Sequence, residues 1–246
     1  MFRQERLDGI VQLITKRGFV TVPQLCKQFH ASPATIRRDL QALSQKQLIL
    51  RNRNGAVPCQ EHHTEASVHF RAAVNAKAKQ RIAQAAAELV RDGSLIFIDS
   101  STTVLSMVDF LASKKNLTIV SNSLLLMTLM RETGHRLVLT GGEYFAPSHA
   151  FYGELAVETL ENYNFDCAFI SSVAITQDGY AAETLEHSVF VRQTALRRAR
   201  VAVLLCDKSK MNLHRAYNIA PIDAMDYIIT DDPIYPKNSS ARVIRV

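Results

Sequence analysis

The sequence predicts two unequal domains, a small, basic, helix-rich unit closing in a β-hairpin over residues 1–57 and a larger α/β unit with a parallel sheet over 76–246. Three observations carry this prediction. The length of 246 residues exceeds one ordinary domain and falls short of three. Residues 1–57 hold ten Lys and Arg against three acids, a surplus of seven, whereas the whole chain carries +6, so the rest is nearly neutral at −1. From Ala76 onward, short apolar runs alternate with helical segments, the pattern of a parallel sheet covered on both faces.

In the first unit, Leu7, Ile10, Val11 and Ile14 follow the i, i+3, i+4, i+7 spacing of an amphipathic helix that ends at Gly18. Thr21 is placed to cap a second helix, with Pro23 in its first turn and an end near His30. Ser32-Pro33 is again a cap followed by proline, and Ile36, Leu40 and Leu43 form the apolar stripe of a third helix. On the opposite face of that helix lie Ala34, Arg37, Arg38, Gln41 and Gln45, with no acid among them and Asp39 off to the side. Arginine forks pair with guanine edges and phosphates, and glutamine with adenine, so this face has the chemistry of a helix that reads a major groove. An ordinary solvated basic helix would share the composition, and the flanking segments favour the former. Leu48-Ile49-Leu50 is strand-like, Arg51-Asn52-Arg53 is basic, and Asn54-Gly55 is a hairpin-turn signal. The result is a wing whose Arg51 and Arg53 reach the DNA backbone or minor groove.

The run from Ser32 to Leu40, with Gly18 to Val22 before it and Arg51 to Ala56 after it, resembles the winged helix-turn-helix of DeoR-type transcription regulators over nearly all of residues 3–57. Asn54 with Arg53 departs from the family's usual wing residues. The DNA-contacting set is therefore expected to be Ser32, Ala34, Thr35, Arg37, Arg38, Gln41, Arg51, Arg53 and Asn54.

Residues 58–75, with Pro58, His62 and His63 and no clear period, read as a connector. In the second unit, strands are expected at 94–99, 117–121, 136–140, 167–172, 201–206 and 227–230. Ligands of such sheets collect at the carboxyl ends of the strands. There the first strand runs into Asp99-Ser100-Ser101-Thr102-Thr103, four successive hydroxyls at a helix start and a suitable cradle for a phosphate, although capping alone needs only one of them. Other strand ends supply Ser121-Asn122, Gly141-Gly142, and Lys208 and Lys210. No GxGxxG follows a strand and no GxxxxGK[ST] occurs, so dinucleotide and triphosphate sites lack their fingerprints.

These strand ends, with Phe165-Asp166 and Asp178-Gly179, resemble the DeoR-type sensor domain, whose fold is similar to ribose-phosphate isomerase. Ala78, Ala181-Ala182 and Lys208 depart from the family's usual residues. The resemblance implies that Ser100 to Thr103 hold the phosphate of a sugar-phosphate effector, that Asp99, Ser121, Asn122, Gly141, Gly142, Lys208 and Lys210 complete the site, and that the effector lowers operator affinity.

The expected function is thus a repressor of a carbohydrate-metabolism operon, bound to double-stranded DNA as a homodimer or homotetramer and released by a phosphorylated sugar. The alternative is an isomerase-like enzyme with a DNA-binding appendage, for which Asp99, Glu183, Glu186 and Lys208 are the available acid and base groups. Cys26, Cys59, Cys167 and Cys206 form no CxxC pair, and His62-His63 have no partners at ligand spacing, so neither metal, disulfide nor cofactor is expected. The charged start at Arg3, Glu5 and Arg6 and the lack of a long apolar run point to the cytoplasm, with no membrane partner.

Overall fold

A computed structural model describes residues 2–17, 19–45, 48–52, 55–58, 68–234 and 239–246. The chain divides into two compact units, Met1–Ala76 and Lys77–Val246. The first contains α1 (Arg3–Arg17), β1 (Val20–Thr21), α2 (Val22–Phe29), α3 (Pro33–Gln45), β2 (Ile49–Asn52), β3 (Gly55–Pro58) and α4 (Val68–Ala73). The predicted stripe of α1 packs with Leu25 of α2 and with Ile36, Leu40 and Leu43 of α3 in one buried cluster. Phe70 of α4, in the stretch read from sequence as connector, is buried in that same cluster.

Caps set the helix starts. Thr21 Oγ1 accepts from the Gln24 amide at 3.4 Å while Gln24 Oε1 accepts from the Thr21 amide at 2.8 Å, a reciprocal pair that satisfies two otherwise orphaned donors. Ser32 Oγ accepts from the Thr35 amide at 3.2 Å and starts α3 ahead of Pro33.

The wing is an antiparallel sheet of order β1-β3-β2. Asn52 pairs with Gly55, and the turn between them lies outside the described residues. Gly55 also faces β1: a Cβ there would sit 2.2 Å from the Val20 carbonyl oxygen, so only glycine lets the two backbones meet. Gly55→Ala is expected to force β1 and β3 apart and to destabilise the first unit by roughly 1–3 kcal/mol. Chemical denaturation of the full chain checks this, and an unaltered first transition would refute it.

The second unit begins with α5 (Ala76–Glu88), β4 (Leu95–Ile98), α6 (Thr102–Leu105), α7 (Val108–Leu111), β5 (Thr118–Ser121), α8 (Leu124–Met130) and β6 (Arg136–Leu139). A hairpin of β7 (Glu143–Phe145) and β8 (Ala150–Tyr152) precedes α9 (Glu154–Glu161) and β9 (Cys167–Ile170). There follow β10 (Ala174–Ile175), β11 (Tyr180–Glu183), α10 (Glu186–Arg197), β12 (Ala202–Cys206), β13 (Tyr217–Pro221), β14 (Tyr227–Thr230) and β15 (Arg242–Arg245).

Seven strands form a parallel sheet in the order β15-β14-β12-β9-β4-β5-β6. Strands β9 and β12 are buried along their whole length, as a sheet covered on both faces requires. All six expected strands are present. The seventh, β15, was not expected because its two apolar residues are flanked by Arg242 and Arg245 at an exposed edge.

The order reverses at β4, with β5 and β6 to one side and the return through β9 to the other. The carboxyl ends of β4 and β9 therefore border the topological switch point, where sheets of this kind bind ligands. The β7–β8 hairpin and the small sheet β10-β11-β13 arise from connections that leave the carboxyl ends of β6, β9 and β12. No helix among the described residues is long and apolar enough to cross a membrane.

Candidate functional site

In the first unit, Ala34, Arg37, Arg38, Gln41 and Gln45 are all exposed, while Ile36, Leu40 and Leu43 are buried. Asp39 is buried too, and its carboxylate accepts from Arg6 Nε at 2.7 Å. That pair fastens α3 to α1 and leaves the basic face of α3 without an acid. Ser32 and Thr35 are joined to each other through their hydroxyls at 2.9 Å at the start of α3. Arg51 is exposed on β2, whereas Arg53 and Asn54 lie outside the described residues.

In the second unit, the hydroxyl run at the carboxyl end of β4 is buried and meets two ammonium groups. Lys79 of α5 donates from Nζ to Thr102 Oγ1 at 3.0 Å. Lys210, from the turn after β12, donates from Nζ to Ser171 Oγ at 2.8 Å and to Thr103 Oγ1 at 3.4 Å. Lys208 is exposed, and its backbone amide donates to Asp231 Oδ1 at 2.8 Å. Burial alone would raise the Asp207 carboxyl, but the Lys210 ammonium and the hydrogen bonds from Ser209 outweigh it and hold Asp207 below the usual carboxylate range.

Asp99 is buried and spends its carboxylate within the protein. Oδ1 accepts from the Ser101 amide at 2.8 Å, and Oδ2 accepts from the Ser171 amide at 3.1 Å and from Arg192 Nε at 2.7 Å. Arg192 of α10 also pairs through Nη1 with Glu183 Oε1 at 3.1 Å. Burial disfavours this guanidinium, but Glu183 and Asp99 more than offset it and raise its pKa, so the group stays charged. The ion triad thereby fixes the loops leaving β4 and β9 to α10.

A second network is neutral. The Ser100 hydroxyl lies 3.1 Å from the Tyr152 hydroxyl, which lies 3.1 Å from that of Ser148. Asn122 donates from Nδ2 to the Phe151 carbonyl at 3.1 Å and to Ser100 Oγ at 3.5 Å. Asn122 Oδ1 and Ser172 Oγ are buried with no hydrogen-bond partner, a costly state for groups facing no ligand. Ser121 Oγ accepts from the Ser123 amide at 3.0 Å and shapes the turn into α8. Gly142, at φ +111°, has its open side occupied by the Tyr152 carbonyl, 2.2 Å from where a Cβ would sit, and Gly141 lies against Leu155. A groove of about 530 Å³ between α9 and α10 is lined by His187, whose ring packs 4.6 Å from that of Tyr152.

Family models match both units: a DeoR-like helix-turn-helix domain over residues 6–62 and a DeoR C-terminal sensor domain over residues 74–232. The chain belongs to the DeoR family. It is 33% identical to the glycerol-3-phosphate regulon repressor of Escherichia coli, over 95% of this chain and 92% of that protein. It is also 30% identical to the lactose phosphotransferase system repressor of Lactococcus lactis (97% and 94% covered) and 29% identical to the transcriptional repressor GlcR of Bacillus subtilis (94% and 89%). Among solved structures, ribose 5-phosphate isomerase from Methanocaldococcus jannaschii aligns over 56% of this chain and 55% of its own, with TM-score 0.42 and 18% identity.

Sequence reasoning about this DeoR-family regulator missed Lys79, Ser148, Tyr152, Ser171 and Arg192. One signal was available for Lys79: it occupies the same helix face as Ile82, Ala83 and Ala86, so a lysine stood at a buried position of α5. Arg192 likewise sits among the buried residues Val189, Val191 and Ala195 of α10.

Proposed function

We propose that this DeoR-family protein represses an operon of carbohydrate metabolism in the cytoplasm, binding operator DNA through α3 and the wing and leaving it when a phosphorylated sugar binds the second unit. The observation that carries the sensor half is the convergence of Lys79 and Lys210 on the Thr102 and Thr103 hydroxyls at the switch point of the sheet. Two ammonium groups and a row of hydroxyls in a largely buried setting suit a dianion. The amide and hydroxyls of Asn122, Ser100, Tyr152 and Ser148 suit the neutral, polyhydroxylated remainder of the molecule. Asp99 and Glu183 are both held by Arg192 and Lys208 is exposed, an arrangement that favours sensing over proton-transfer chemistry. The coupling between sites is then the effector's different affinity for the DNA-bound and free arrangements.

The test is a thermal-shift screen against sugar phosphates and their unphosphorylated parents, followed by titration of the best ligand into a complex with an operator selected from random duplexes. A phosphate-dependent shift that releases DNA is expected. In Lys79→Met/Lys210→Met the shift should vanish while operator binding persists. A sugar that binds equally well without its phosphate, or a double variant that still responds, would overturn the assignment.

A further inference from the structure

The outward face of α10 has an order that no part of the effector site explains. Only Glu186, Phe190 and Arg197 of this helix are exposed, with Gln193 half-buried between the last two. Their spacing of four, three and four residues places them in one row along the helix. The row is also symmetric: Glu186 and Arg197 lie equally far from a midpoint between Val191 and Arg192, and so do Phe190 and Gln193. An acid ends the row at the helix N-terminus and a base ends it at the C-terminus. Phe190 is 53% exposed, an unusual setting for a phenyl ring on a helix packed against a sheet.

We propose that a second copy of this chain docks here, its α10 antiparallel to the first about a two-fold axis through that midpoint. Such an axis sets each Glu186 against the partner's Arg197 and each Phe190 against the partner's Gln193, so one surface satisfies itself twice, as an isologous interface must. The neighbouring groove of about 530 Å³ is lined by Phe190, Gln193 and Arg197 together with Val157 of α9 and has room for the partner's phenyl ring. Within one chain Arg197 pairs with Glu161 of α9, which holds its guanidinium at the rim of the groove. The inner face of the same helix carries Arg192, tied to Asp99, so the effector loops and the interface share one rigid element.

The inference rests on the expected oligomer of the repressor reading, yet its test uses neither DNA nor sugar phosphate, so either can fail alone. Sedimentation velocity on the purified full chain is expected to give an even-numbered assembly, and Phe190→Glu to halve it while leaving the circular dichroism spectrum intact. The dissociation constant should rise by about 30-fold or more, the loss typical of a central aromatic anchor. In a Glu161→Gln background, which removes the in-chain partner of residue 197, Glu186→Arg and Arg197→Glu should each weaken association by about tenfold, and the double exchange should restore it, because both like-charge contacts become attractive again. A monomeric wild type, association indifferent to Phe190→Glu, or a double exchange no better than its parents would each overturn the proposal.

Discussion

Replacing Arg192 with Met is expected to destabilise the second unit by about 3–5 kcal/mol, because it strands two buried carboxylates that now share one guanidinium. For a domain of this size that corresponds to a fall in Tm of roughly 10 °C. The damage should be specific as well as large. Asp99 orders the amides of Ser101 and Ser171, so effector binding should weaken even at temperatures where the variant remains folded. Arg192→Lys keeps the charge but not the fork that serves Asp99 and Glu183 at once, and should fall between the two. A Met variant as stable as the parent chain would show that the triad contributes nothing net.

The second large effect is expected at the DNA. Arg37→Ala/Arg38→Ala should cost about 1–3 kcal/mol for each arginine that reads a base, and should erase much of the preference for operator over random duplex. Both side chains are exposed and outside the core, so the melting of the first unit should not move. Fluorescence anisotropy at fixed salt measures the loss, since phosphate contacts alone would weaken all sequences alike and reduce the salt dependence. Undiminished operator preference would remove α3 from the groove. The Arg6–Asp39 pair explains why the helix can present two arginines without an internal acid to compete for them.

The two units differ in how far they could be read in advance. Most of what shapes the first is local: Thr21 answers Gln24, Ser32 answers Thr35, and the stripes of α1 and α3 repeat within single helices, while the Arg6–Asp39 pair and the β1–β3 contact join segments more than thirty residues apart. The sheet strands were equally legible, because each is a short apolar run between helices. What escaped was made by partners far apart in the chain. Arg192 meets Asp99 across 93 residues, and Tyr152 meets Ser100 across 52. No local pattern marks such pairs. The strands outside the main sheet were missed because β7, β8 and β10 have only two or three residues, and β11 (Tyr180–Glu183) and β13 (Tyr217–Pro221) lack the apolar run that marks the sheet strands. Asp99 was legible as a strand-end acid, but only the positions of the Ser101 and Ser171 amides reveal that its carboxylate is occupied. Between the two nominated lysines, side-chain reach separates them: Lys210 meets the loop hydroxyls and Lys208 faces solvent.

The separation of Lys210 from Thr103, 107 residues along the chain, has a bearing on the life of the protein before it is complete. Closing a loop of that length costs entropy that only the finished sheet repays. The first unit owns a separate core and leaves the ribosome first, so it can fold while the sheet is still being made. A nascent or truncated chain would thus acquire the exposed face of α3 before it acquires the proposed effector cradle. Fragments ending before β12 are expected to be deaf to the effector, whatever hold they keep on DNA.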